Sequence, residues 1–142
     1  ILSRRYNVVA ILEVGKIKKL TEAEVEKARA FLNRAKALYP TKQYTFKISE
    51  KNKLFDRKYN LRDSDKLKIM QSLTEVDCVE IRKNDNPRYP DADVFIFIKL
   101  VSLDSYGEPV EVNLYIKDYI IEEDNFEMVI VISFHEEGLH DD

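Results

Sequence analysis

Cysteine and histidine are scarce in this sequence of 142 residues, which contains one cysteine and two histidines. Because Cys78 is the only cysteine, no disulfide can form within the chain, and a reducing, cytoplasmic setting is the simplest interpretation. Cys78, His135 and His140 are also too few for a zinc site with four cysteine or histidine ligands. We therefore expect neither a disulfide framework nor a metal or other cofactor.

Long apolar runs are also missing. No stretch approaches the roughly 20 apolar residues that a membrane-spanning helix requires. Residues 1–20 lack the apolar core followed by small residues that is typical of a signal peptide. The chain has 44% hydrophobic and 35% charged residues, a globular composition, and its length fits one domain with a core. We expect a single domain over residues 1–142 with no membrane contact.

Charge is distributed unevenly along the chain, although its net charge is only −3. Residues 1–72 carry 18 Lys and Arg against 8 Asp and Glu, whereas residues 73–142 carry 5 against 18. A basic half can face a polyanion such as a nucleic acid. The two halves can equally attract one another within one fold, or the acidic half can bind a basic partner. Charge alone leaves these alternatives open.

The first half of the chain is predicted to be mostly helical. Thr21 and Glu24 have the spacing of a capping box, and apolar residues then recur at helical spacing. This pattern predicts a helix over about residues 22–38, which ends before a proline. Shorter helices are predicted over residues 51–59 and from about residue 64 to residue 73.

Strands dominate the second half. Residues 84–93, rich in Pro, Asn and Asp, form the clearest loop. Strands are predicted over residues 44–48, 94–101, 110–119 and 128–134, with hairpin connections at residues 104–109 and 122–125. Residues 8–12 fit either a strand or a helix. Helices followed by consecutive strands with short connections predict an α+β fold, with N-terminal helices packed on a C-terminal antiparallel sheet.

Three polar side chains stand out on the last two predicted strands. His135 follows the apolar strand 128–134, where a rigid strand can hold an imidazole that still meets solvent. Strand alternation places Tyr115 and Lys117 on one face of the preceding strand. A phenol, an ammonium and an imidazole on neighbouring strands can perform acid–base chemistry near a phosphate. A packed sheet with ordinary polar ends explains the same pattern.

Several segments, taken in order, resemble the motility quorum-sensing regulator (MqsR) family of toxins. The clearest are Leu-Tyr-Ile-Lys at residues 114–117 and Val-Ile-Ser-Phe-His-Glu at residues 131–136. The others are residues 44–46, 50–52, 72–77, 90–91 and 94–97. The resemblance covers residues 44–138 as a toxin-like core, and residues 1–43 are an N-terminal extension outside most of it.

The resemblance implies a RelE-like fold and a function. Members of this family are messenger RNA endoribonucleases of toxin–antitoxin systems, which a partner antitoxin silences. They use no metal. The 2′-hydroxyl beside the scissile phosphate is the nucleophile, so the protein supplies a base, an acid and positive charge, and RNA is distinguished from DNA.

The resemblance also assigns roles to residues. His135 is the expected general acid or base, because an imidazole titrates near neutral pH. Tyr115 is expected to orient or assist it, and Lys117 to stabilise the phosphate. Additional RNA contacts are expected from Arg82, Lys83, Lys51 and Asn52, although Lys51 and Asn52 can instead cap the short helix.

Two positions depart from the family pattern. Glu80 stands near where better-known members have a lysine, and Phe95-Ile96 replaces an aromatic-Gln pair. These departures, together with the acidic second half, keep a second hypothesis open, in which the chain is a non-catalytic protein-interaction module on the same fold.

Overall fold

The computed structural model describes residues 20–138. Within them, helices α1 (Glu22–Leu38), α2 (Glu50–Lys58) and α3 (Asp63–Ser72) combine with one sheet of five strands. The strands are β1 (Tyr44–Phe46), β2 (Cys78–Arg82), β3 (Val94–Ser105), β4 (Glu108–Glu123) and β5 (Phe126–Glu136). The predicted α+β class is confirmed. The expectation for residues 8–12 and the second histidine, His140, lie outside the described residues.

Helix α1 begins and ends as its sequence predicts. Thr21 and Glu24 form both hydrogen bonds of the capping box, since each backbone N–H donates to the other side chain. The buried stripe of α1 packs on the sheet, where Phe31 stacks on Phe95 with ring centroids 4.1 Å apart. Within residues 20–138, no helix has the length and apolar character needed to cross a membrane.

The strand order is β1-β5-β4-β3-β2. The pairs β3–β4 and β4–β5 are antiparallel, as expected, and β2 is also antiparallel to β3. Strand β1 is different, because it pairs with β5 in parallel and makes the sheet mixed. Strand β2 was not predicted. Both predicted hairpins exist, and each has a tight turn with positive φ at its two central residues, Tyr106 and Gly107 in one and Asp124 and Asn125 in the other.

The sheet has two unlike faces. The helices cover the helix face, which includes the buried core residues Phe95, Phe97, Ile116, Val131 and Phe134. Cross-strand register assigns Ile96, Tyr115, Lys117, Ser133 and His135 to the opposite face, here called the far face.

An irregularity in β5 decides which residues reach each face. Lys117 pairs with Ser133 and the next residue, Asp118, pairs with Val131, so Ile132 is an extra residue, as in a β-bulge. Strict alternation would direct Ser133 to the same face as Val131. The bulge reverses the alternation and turns Ser133 and His135 to the far face.

Asp118 lies at the same irregularity but on the helix face, with 0% of its surface exposed. Among the described residues, neither carboxyl oxygen has a hydrogen-bond partner, and the hydroxyl of Tyr39 is likewise buried without one. Burial raises the pKa of Asp118 well above its usual range. Burial, and then the charge of Asp118, raises the pKa of Tyr39. Burial raises the pKa of Cys78 to about 11, so this thiol is unreactive near neutral pH.

Asp118→Asn should raise the free energy of unfolding at pH 8, and the gain should shrink toward pH 4. Below about pH 4 the carboxyl group of Asp118 is protonated in both the folded and the unfolded chain, so the fold has its full stability there. The wild type then loses up to about 1.4 kcal/mol per pH unit as the pH rises toward the folded-state pKa. The amide does not ionise, so urea unfolding of both proteins between pH 4 and pH 8 measures the difference. The exposed loop variant Asp91→Asn is the control, and parallel pH profiles for wild type and Asp118→Asn would contradict the assignment.

Candidate functional site

The far face brings together three predicted site residues and one that was not predicted. Tyr115 pairs directly with His135, and Lys117 pairs directly with Ser133. The rings of Tyr115 and His135 are stacked, with centroids 5.5 Å apart and an interplanar angle of 14°. These four residues, two from each of two adjacent strands, form the far-face quartet.

The imidazole of His135 is held in one orientation. Its Nδ1 lies 3.0 Å from the carbonyl oxygen of Glu136, and a carbonyl only accepts, so Nδ1 carries the hydrogen in the neutral ring. The lone pair is then on Nε2, which is buried and has no hydrogen-bond partner among the described residues. Native proteins rarely leave a buried polar atom unpaired, and such atoms are typical of functional sites.

His135 is far less accessible than the sequence suggested. Only 1% of its surface is exposed, which contradicts the expectation that the ring still meets solvent. Ser133 is also buried, whereas Tyr115 and Lys117 are partly exposed. One flat side of the ring stacks on Tyr115, which accounts for part of this burial. Within the quartet, the side chains that reach solvent are therefore those of Tyr115 and Lys117.

The two departures from the family pattern lie beside the quartet. Glu80 pairs with Ile96, and Ile96 pairs with Lys117, so the three residues occupy one row across β2, β3 and β4. The carboxylate of Glu80 accepts a hydrogen bond of 2.9 Å from Nε of Arg82. A negative and an apolar side chain therefore continue the row of Lys117, and Arg82 offsets the negative charge.

The structure brings Arg82 near the quartet but not into it. Arg82 pairs with Val94, which is two residues along β3 from the row of Lys117. With about 3.4 Å per residue and 4.8 Å per strand, the backbones of Arg82 and Lys117 are about 12 Å apart. Two long side chains can span that distance toward a shared phosphate. Lys83 is exposed in the loop that follows β2.

The side chain of Asn52 is buried and bonds the backbone, which was not predicted from the sequence. It is 5% exposed on the first turn of α2, and its side-chain amide bonds to three backbone groups. Its Nδ2 donates to the carbonyl oxygens of Lys47 and Ile132, both at 2.9 Å, and its Oδ1 accepts from the N–H of Phe134 at 3.0 Å. Both side-chain N–H groups are therefore in use, which argues against the phosphate contact expected for Asn52.

Lys51 also lies on α2, which packs against the helix face through Phe55 and Phe134. It is therefore not part of the quartet. A cavity of about 280 Å³ is nearby, between β1, α2 and α3, and Lys66 and Asp56 line it. The Lys66 ammonium is 2.8 Å from a carboxylate oxygen of Asp56. This cavity is on the helix side of the sheet, away from Tyr115.

Sequence reasoning missed Ser133, although a signal exists. The buried apolar residues of β5 that face the core are Val129, Val131 and Phe134, a spacing of two and then three. A change of spacing within one strand indicates a bulge, and with it a change of face for the residues that follow. Within residues 20–138, no three His, Cys, Asp or Glu side chains form a group that could hold a metal ion.

We expect neutral His135 to be the Nδ1–H tautomer, because Nδ1 faces a carbonyl oxygen. Long-range ¹H–¹⁵N correlation spectra of the imidazole distinguish the two tautomers directly. Spectra of His135→Gln identify the signals that belong to this ring. An Nε2–H tautomer would contradict the orientation described here.

The comparisons with known proteins add no relative. No family model matches the chain, and no curated protein and no solved structure match it. The resemblance to the MqsR family stays a prediction that rests on short motifs.

Proposed function

We propose that this protein is an endoribonuclease that cleaves messenger RNA without a metal ion, as a toxin of the MqsR type. The observation that carries the proposal is the far-face quartet, in which an imidazole with a free lone pair stacks on a phenol beside an ammonium. A base, an acid and a cation are the groups that cleavage through attack by a ribose hydroxyl requires.

The proposed reaction starts at Nε2 of His135, which takes the proton of the ribose 2′-hydroxyl. The 2′-oxygen forms a bond to phosphorus, and the bond from phosphorus to the 5′-oxygen breaks. The products are a 2′,3′-cyclic phosphate and a 5′-hydroxyl. The phenol of Tyr115 supplies the proton for the leaving oxygen, and the imidazolium returns its proton to Tyr115 through solvent. Lys117 stabilises the negative oxygens of the transition state.

Access is the main requirement that the proposal imposes. An RNA nucleotide cannot contact a ring that is 1% exposed unless groups over the ring move. Tyr115 and Lys117 are partly exposed and mark the side of entry. We infer that RNA binding includes a local rearrangement that exposes Nε2 of His135.

Silencing by a partner antitoxin is part of the same proposal. Its support is the sequence resemblance, since toxins of this kind are encoded beside a small partner protein. A neighbouring gene for a helix-turn-helix protein would favour it. Conditional expression with and without that gene would then separate growth arrest from silencing.

A second candidate function is that of a non-catalytic protein-interaction module. The observations that favour it are Glu80 and Ile96 in the row of Lys117, where a nuclease gains from positive and polar groups, and the burial of His135. This candidate predicts a stable complex with a partner chain and no RNA cleavage by the pure protein between pH 5 and pH 9.

His135→Ala should abolish RNA cleavage and relieve growth arrest without unfolding the domain. Loss of a general base typically lowers the rate 10²- to 10⁴-fold. The assay uses pure protein, a labelled RNA oligonucleotide and a chelator, and it detects the cyclic phosphate. An otherwise identical oligonucleotide with a 2′-deoxyribose at the cleaved position should resist, because it lacks the nucleophile. A fully active or fully toxic His135→Ala variant would show that the role assigned to His135 is wrong.

Tyr115→Phe and Lys117→Ala should each lower kcat more than they change KM, since both groups act in the transition state. Matched controls exist in the chain. Tyr106 is exposed in a hairpin turn and Lys68 is exposed on α3, so Tyr106→Phe and Lys68→Ala test the same chemical changes away from the quartet. Equal losses in the site variants and their controls would contradict the assignment.

A further inference from the structure

The face on which His135 lies depends on a single extra residue. Core-facing Val129 and Val131 are followed by the extra residue Ile132, after which Phe134 takes the core position. Without that bulge, β5 would alternate strictly and His135 would turn toward the helix face. The stacking of His135 on Tyr115 therefore requires the bulge to stay at Ile132.

The backbone groups of β5 that point toward β1, away from β4, need hydrogen-bond partners at this bulge. Strand β1 pairs with β5 only from Val129 to Val131, because β1 ends at Phe46. The carbonyl of Ile132 and the N–H of Phe134 lie beyond the last pair of the two strands, so β1 offers them no paired residue. Buried backbone groups without partners are costly, so this edge requires a substitute for a strand.

The side chain of Asn52 is that substitute. Its amide donates to the carbonyl of Ile132 and accepts from the N–H of Phe134, the two groups that flank Ser133. Like a peptide unit, a primary amide has an N–H donor and a carbonyl acceptor, and it has a second N–H as well. In Asn52 this second N–H donates to the carbonyl oxygen of Lys47. The N-cap Ser49 fixes the first turn of α2, because its hydroxyl accepts from the backbone N–H of Asn52 at 3.2 Å.

We propose that Asn52 is a positioning residue that locks the bulge of β5 at Ile132 and thereby holds His135 on Tyr115. The lock itself is independent of any reaction, and only its catalytic consequence rests on the proposed nuclease function. Burial of Phe134 against Phe46 and Phe55 favours the same register, so Asn52 acts together with core packing. Packing selects the face, and the amide holds the backbone of the bulge.

The test compares Asn52→Ala and Asn52→Asp with the wild-type protein. Alanine removes all three hydrogen bonds, whereas aspartate keeps the acceptor for Phe134 and loses both donors. Amide hydrogen exchange at Phe134 should accelerate by at least about 10-fold in Asn52→Ala, the equivalent of about 1.4 kcal/mol for a lost hydrogen bond. Asn52→Asp should show a smaller increase at Phe134.

A second readout separates positioning from general stability. The nuclear Overhauser contact between the rings of Tyr115 and His135 should weaken in Asn52→Ala. Leu73→Val, at a buried position that follows α3, is the destabilised control. It should leave that contact unchanged and should accelerate exchange at Phe134 only as much as at other core amides. If Asn52→Ala does not fold, the proposal is tested by Asn52→Asp and by the wild-type protein alone. In the wild type, the Phe134 amide must be strongly protected from exchange.

Unchanged ring contact in Asn52→Ala, or equal changes in Leu73→Val, would overturn the proposal. So would rapid exchange at Phe134 in the wild type. If the wild type cleaves RNA, kcat should fall in Asn52→Ala at nearly constant KM, and the control should keep its activity. If the wild type does not cleave RNA, the nuclease proposal fails while the two spectroscopic readouts still judge the lock.

Discussion

The arrangement of this molecule depends on one local constraint, the extra residue in β5. Before Ile132, the odd-numbered residues of β5 face the core. After Ile132, the odd-numbered residues face away from the core. Because side chains alternate strictly along a strand, a polar pair at the end of a core strand reaches the opposite face only through such an interruption. The bulge thus lets one strand supply Phe134 to the core and His135 to the far face.

Two polar side chains are buried near the bulge, and only one of them has hydrogen-bond partners among the described residues. Asn52 satisfies its own polar groups together with those of the strand edge, so it is compatible with a rigid core. Asp118 has no such partners among the described residues, so its burial raises its pKa and costs stability when the carboxyl group is ionised. Of the two side chains, only Asp118 has buried polar atoms without partners among the described residues.

The sequence predicted what short-range chemistry determines. The capping box at Thr21, the turns near residues 106 and 124, and the shared face of Tyr115 and Lys117 all follow from spacing within one element. The parallel pairing of β1 did not follow, because it depends on β5, more than 80 residues along the chain. The strand β2 was not predicted, and the bulge at Ile132 was missed although the spacing of Val129, Val131 and Phe134 indicates it. The role of Asn52 was missed for the same reason as the pairing of β1, since its amide bonds Ile132 and Phe134, 80 and 82 residues away.

Whether Glu80 is compatible with phosphate chemistry depends on the strength of its pair with Arg82. Both side chains are nearly half exposed, and exposed ion pairs contribute little because water and salt screen them. A phosphate accepts charge-assisted and bidentate hydrogen bonds from a guanidinium, which are stronger than that pair. Arg82 can therefore leave Glu80 for a phosphate held by Lys117 with little loss. If the protein binds RNA as proposed, the carboxylate in the row of Lys117 would orient Arg82 between binding events, and it does not by itself decide against a nuclease.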